Sequence, residues 1–188
     1  MARSIFALEL CARLEPTLRA RIHQLIRLTP GRTGPSMKFE LYRALSAAWR
    51  ESLHLVERGC WDFFDDDDRA TRDFTMWSQG MATEEGVRTS PSGAFDPYRG
   101  EPRYMTFTTA LLLQRGSYAE RMLANTCKIP EPQLWQRPTF ARMIEALSTI
   151  NFGSVEADVV YLIPGDDSWG LTVEDLAHRK FQYLRPVT

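Results

Sequence analysis

The residues whose types and spacing could do chemistry stand together at Asp166-Asp167-Ser168-Trp169. They follow the apolar run Val155 to Ile163 and the stop signal Pro164-Gly165, and they precede Thr172, which has an N-cap's spacing to Asp175. Loops at the carboxyl ends of sheet strands are a common place for ligands. Two carboxylates and a hydroxyl could hold Mg²⁺, or act as base and stabiliser in a hydrolysis. That chemistry also needs a third ligand or a nucleophile. No nearby His, Cys or Lys supplies one, and His178 stands ten residues beyond Ser168 without a defining motif. The corner therefore reads first as a polar turn or a recognition loop with Trp169 as its anchor. Metal-assisted hydrolysis through Asp166 and Asp167 is the alternative. No residue is assigned a catalytic role, and no metal or cofactor is expected.

The second chemical candidate is the run Asp65 to Asp68. Four consecutive carboxylates cannot all converge on one cation, and the alternate spacing, glycine and distal Glu of a calcium loop are missing. The run reads better as the capped, acid-rich first turn of a helix starting near Asp68. Gly31, Arg32 and Gly34 lie in a Pro/Gly-rich loop that matches neither a Walker loop nor a dinucleotide fingerprint. Cys11, Cys60 and Cys127 are far apart and odd in number, so they read as free, buried thiols rather than a disulfide framework or zinc site.

Composition sets the outer limits. The 188 residues suit one well-buried domain, and the hydrophobic share of 44% with 25% charged residues is that of a soluble globular protein. The net charge of −1 argues against a basic nucleic-acid coat. Charge is nevertheless uneven: residues 1–58 hold ten Lys/Arg against five Asp/Glu, and residues 59–102 hold four against ten. The two regions could pair within the fold or face different partners. The early run IFALELCA is interrupted by Glu9 and lacks a cleavage site, which makes it a poor signal peptide, and nothing approaches a membrane span. The expected location is the cytoplasm, with no membrane partner.

These candidates must be positioned by a coarse order of elements. Residues 2–28 read as a helix broken at Pro16, with Arg19, Arg21 and Arg27 off its apolar stripe. Ser36 is a plausible N-cap for a helix over 37–58, stopped by Gly59. A further helix follows the aspartates, with Ala70, Phe74 and Trp77 on its inner face. Residues 80–102 are a long loop whose Phe95 and Tyr98 must tuck against the body. Arg103 to Arg115 reads as a central strand covered on both faces. Then come a short helix over 117–129, a proline-punctuated segment pinned by Trp135, and a helix from Thr139 to Ile150. The strand Val155 to Ile163 follows, and a helix is capped by Thr172. The order fits two strands joined by a helical crossover, which would be right-handed if the strands are parallel neighbours.

The stretch Tyr104 to Ser117, together with Val155 to Ala177, resembles an uncharacterised bacterial and plastid domain family of unknown function. The likeness lies in the strand ending at Arg115-Gly116 and in the later strand. That strand leads through a Pro-containing acidic turn to the helix start Leu171-Thr172. The family's usual Trp before the proline is replaced by Leu162 and Ile163. The resemblance implies a mixed sheet with flanking helices and implies no activity. The expectation is a single α+β (or α/β) domain: a mainly helical part over 1–79, the 80–102 loop, and a strand-helix-strand-helix part over 103–188. Its sheet is completed by a strand in 80–102 or 181–188, or by a second copy of the chain. The leading function is a non-catalytic interaction or assembly protein, acting on a protein partner or by self-association. A nucleic-acid contact through the N-terminal arginines ranks last.

Overall fold

A computed structural model describes residues 2–27, 34–80, 99–165 and 169–188. The fold is α+β: one five-stranded sheet in the order β4-β3-β1-β2-β5, with helices against it. Every neighbouring pair is antiparallel.

The N-terminus departs from the expected helix. Arg3–Arg13 is β1, the central strand, and only Pro16–Arg27 is helical (α1). Ser4 to Ala12 are buried without interruption. A strand covered on both faces loses the alternation that distinguishes strand from helix, and Leu and Ala are good helix formers. The second departure is similar. Helix α2 spans Pro35–Ser52 with Gly34, not Ser36, as its N-cap, and a 3-10 turn at Leu53–Leu55 leads into strand β2, Val56–Phe64. Gly59 thus lies inside a strand. A Cβ there would stand 2.5 and 2.8 Å from the Phe140 ring and 3.1 Å from the Glu9 carbonyl oxygen. The missing side chain is what lets the Phe140 ring come this close to the strand.

The rest follows the expected order. Helix α3 is Asp67–Thr75, β3 is Tyr104–Gln114 and α4 is Tyr118–Thr126. Helix α5 is Arg137–Leu147, capped at Gln136 rather than Thr139. Strand β4 is Val155–Ile163, α6 is Val173–Leu176, and β5 is the two-residue pair Arg185–Pro186 against β2. Strands β3 and β4 are adjacent but antiparallel, because α4 and α5 return the chain to the same end of the sheet. The sheet is therefore not mixed. The expected third strand is the short β5 at the C-terminus; residues 81–98 of the long loop, with Phe95 and Tyr98, lie outside the described residues.

Two layers cover the sheet. On one face Phe6, Leu8 and Leu10 pack with Tyr42, Leu45 and Trp49 of α2 and with Phe140, Met143 and Ile144 of α5. Trp49 and Phe107 meet at 5.2 Å between ring centroids. Trp135 does pin its segment, packing partly buried against this core. The opposite face carries two smaller apolar clusters. One joins Ile5, Ala7, Ala110 and Leu112 to Ala70 and Trp77. The other joins Cys11, Tyr104 and Ile163 to Leu171, Leu176, Phe181 and Leu184 of the C-terminal segment. The first needs small residues, and Ala7, Ala110 and Ala70 let α3 approach the sheet. Between the two clusters lies the site.

Candidate functional site

In the registers of the sheet, Tyr161, Thr108, Glu9 and Cys60 fall in one row across β4, β3, β1 and β2. Ile163, Thr106, Cys11 and Arg58 form the next row. Both rows point to the face away from α2 and α5. Glu9 is thus a carboxyl group at the middle of the central strand, 1% exposed. Tyr183, from the C-terminal segment, crosses above it and donates its phenolic hydrogen to Glu9 Oε2 at 2.7 Å. Tyr161 donates to the carbonyl oxygen of Trp77 at 3.1 Å, and the Trp77 and Tyr183 rings meet edge to face at 6.2 Å.

A buried carboxylate loses its hydration, so the neutral acid is favoured. Burial raises the Glu9 pKa from 4.5 to about 7. The Tyr183 hydrogen bond, the hydroxyls of Thr108 and Thr106, and the nearby Lys180 ammonium all pull it back down without overcoming burial. Neither threonine hydroxyl reaches hydrogen-bond geometry with any partner, although both side chains are fully buried. The neighbouring groups hold their protons: burial and the Glu9 charge push Tyr183, Tyr161 and Cys11 well up. Cys60 rises to about 12 by burial, with Asp62 and Glu9 adding to it. Glu9 is therefore the group in this cluster poised to change charge near neutral pH.

Sequence reasoning passed over Glu9, using it only against a signal peptide. Its signal was present: a carboxylate inside an otherwise apolar run is out of place on a doubly covered strand unless it has a partner.

The candidates singled out from sequence are placed as follows. Asp166, Asp167 and Ser168 lie outside the described residues, as do Gly31 and Arg32. Trp169 is half-buried, and Gly170 beside it has φ +87° with Tyr104 O and a Leu14 methyl both 2.9 Å from where a Cβ would be. Only glycine suits that conformation. The capping box at Thr172 and Asp175 is formed in both directions. His178 is the N-cap of the 3-10 turn over Arg179–Phe181, and its Nδ1 accepts the Lys180 N–H at 3.3 Å. The aspartate run is a helix start: Asp66 accepts the Arg69 N–H at 2.8 Å, and Asp67 takes the Arg3 N–H of β1 at 2.8 Å. Asp65 faces Arg115 at 3.4 Å. Among the described residues no three His, Cys, Asp or Glu side chains group as metal ligands. All three cysteines are free.

Part of the early basic excess is balanced by acids elsewhere in the chain, at Glu156, Glu145 and Asp158, while Arg21 and Arg13 pair with acids of their own region. Arg3 meets Glu156 at 2.7 Å, Arg21 meets Glu51 at 2.6 Å and Arg50 meets Glu145 at 2.7 Å, while Arg13 pairs with Glu57 and Lys38 with Asp158. Among the described residues, no helix is long and apolar enough to cross a membrane. Comparison of the chain with protein-family models, curated proteins and solved structures finds no match in any of the three.

Proposed function

We propose that the protein is a non-catalytic assembly protein that self-associates by adding a second copy's strand to β4. One observation carries the reading: the two ends of the sheet are unlike. At one end β5 offers two residues, one of them Pro186. A short strand with proline is how sheets close an edge. At the other end, β4 runs for nine residues with β3 as its only strand neighbour among the described residues. Val155, Ala157, Val159, Val160 and Tyr161 on it are each only half-buried. Unpaired charges usually guard such an edge. The two carboxylates of β4 do not serve that role, because Glu156 is tied to Arg3 and Asp158 to Lys38 and the Tyr42 hydroxyl. A two-fold axis beside β4 would pair it antiparallel with its own copy and make a self-complementary interface.

Of the arginines off the apolar stripe of the first helix, Arg21 is engaged with Glu51, and nucleic-acid contact stays the weakest alternative. Val159→Lys tests the proposal by placing an ammonium in the middle of the edge. The variant is expected to keep a cooperative melt and to lose the higher-mass species seen in light scattering of the parent. If parent and variant scatter as the same species, β4 is not the interface.

A further inference from the structure

We infer that Tyr183 and Glu9 form a proton-operated latch that holds the C-terminal segment across the sheet. The segment over 171–188 is a strap fixed at both ends by backbone hydrogen bonds. At its start, Leu171 and Tyr104 exchange N–H···O bonds of 2.8 Å in each direction. At its end, β5 pairs with β2, Val187 N–H reaches Glu57 O at 2.9 Å, and Thr188 N–H reaches Trp135 O at 3.1 Å. Between these ends the strap carries a four-residue helix, a 3-10 turn and apolar contacts, and the Tyr183–Glu9 hydrogen bond and the Lys180 ammonium bring it to the carboxyl group of the central strand. Short elements with few backbone ties belong to the least stable part of a fold.

The chemistry around Glu9 suits a switch. Among the described residues, the titratable groups facing it are Tyr183 and Lys180 from the strap, Tyr161 from β4, and Cys60 and Cys11 from the sheet. The phenols and thiols stay protonated, so among these acids Glu9 is the one that changes charge. The Thr106 and Thr108 hydroxyls lie beside Glu9 without a hydrogen bond to it, so the ionised carboxylate keeps most of its desolvation penalty while the strap is closed. A carboxylate charged under the strap carries its desolvation penalty, and lifting the strap relieves it by admitting water. Opening would also free the outer edge of β2, where β5 now pairs. This device does not depend on self-pairing at β4.

Hydrogen exchange of the whole chain at pH 6 and pH 8, corrected for intrinsic rates, tests it. With a closed-state pKa of about 7 and an ordinary value of 4.5 once water reaches Glu9, protection of peptides from the strap should fall about tenfold between the two pH values. Peptides from α2 and α5 should not change, and Glu9→Gln should remove the pH dependence. Unchanged strap protection, an equal loss across every peptide, or the same loss in Glu9→Gln would each overturn the inference. Should that variant fail to fold, the parent's strap peptides measured against its own α5 peptides still decide.

Discussion

Replacing Glu9 with Gln should make the protein more stable at pH 8 and leave it nearly unchanged at pH 5. Gln keeps the size of the side chain and an oxygen that can accept from Tyr183, while removing the group that ionises under the strap. The sign follows from linkage. The Glu9 pKa is raised by folding, from 4.5 to about 7, so the folded state binds the proton more tightly than the unfolded chain. The contribution is fully present below pH 4.5, is lost as pH rises through 7, and is flat beyond. A rise of that size corresponds to about 3 kcal/mol across the window. For a domain of this length each kcal/mol moves the melting temperature by roughly 2–4 °C, and about 2.5 kcal/mol of the change falls between pH 5 and pH 8, so the parent should lose about 5–10 °C from this group there. Other carboxylates also titrate. Glu15 is lowered by the backbone N–H groups of Leu18 and Thr17, which weakens the fold at the acid end instead. The difference between parent and variant isolates Glu9, because every other group is common to both. Calorimetric melts of the two proteins at half-unit steps from pH 4.5 to pH 8.5 supply it. A difference that stays constant with pH would refute the placement of Glu9 as a buried, titrating acid.

Three further outcomes test the packing. Tyr183→Phe removes the donor to Glu9 and should cost about 1–3 kcal/mol, with the loss growing toward pH 8 because the ionised carboxylate then has one donor fewer; urea titrations at pH 5.5 and pH 8 measure both values. Gly59→Ala should destabilise by about 1–3 kcal/mol through overpacking against Phe140, and Gly59→Ala with Phe140→Leu should recover part of that in the same titration. Asp66→Ala should cost about 1 kcal/mol as a lost N-cap, whereas Asp68→Ala at an exposed position of the same turn should stay within about 0.5 kcal/mol in thermal melts.

The contrast between what could be read from the chain and what could not has a physical basis. The β4 strand, its stop at Pro164-Gly165 and the capping box at Thr172-Asp175 were legible because local chemistry dictates them. So was the β3 strand, whose β-branched and aromatic residues announce it. The aspartate run was read as a capped helix start, and Asp66 caps it. The central strand β1 was not legible, since burial on both faces erased its alternation, and β2 was hidden by a glycine that looked like a helix stop. Both errors put the sheet's centre at β3 when it is β1. They also concealed the candidate site, because Glu9, Cys60 and Thr108 come together only when β1, β2 and β3 are placed side by side. Tyr183 lies 174 residues from Glu9, a distance no local pattern can bridge.

The central claim, that β4 is an edge completed by a second copy, is tested most directly by sedimentation equilibrium of the parent protein over a hundredfold range of concentration. The account predicts a particle of twice the 21.6 kDa chain mass that dissociates on dilution. A particle of one chain mass at every concentration would contradict it.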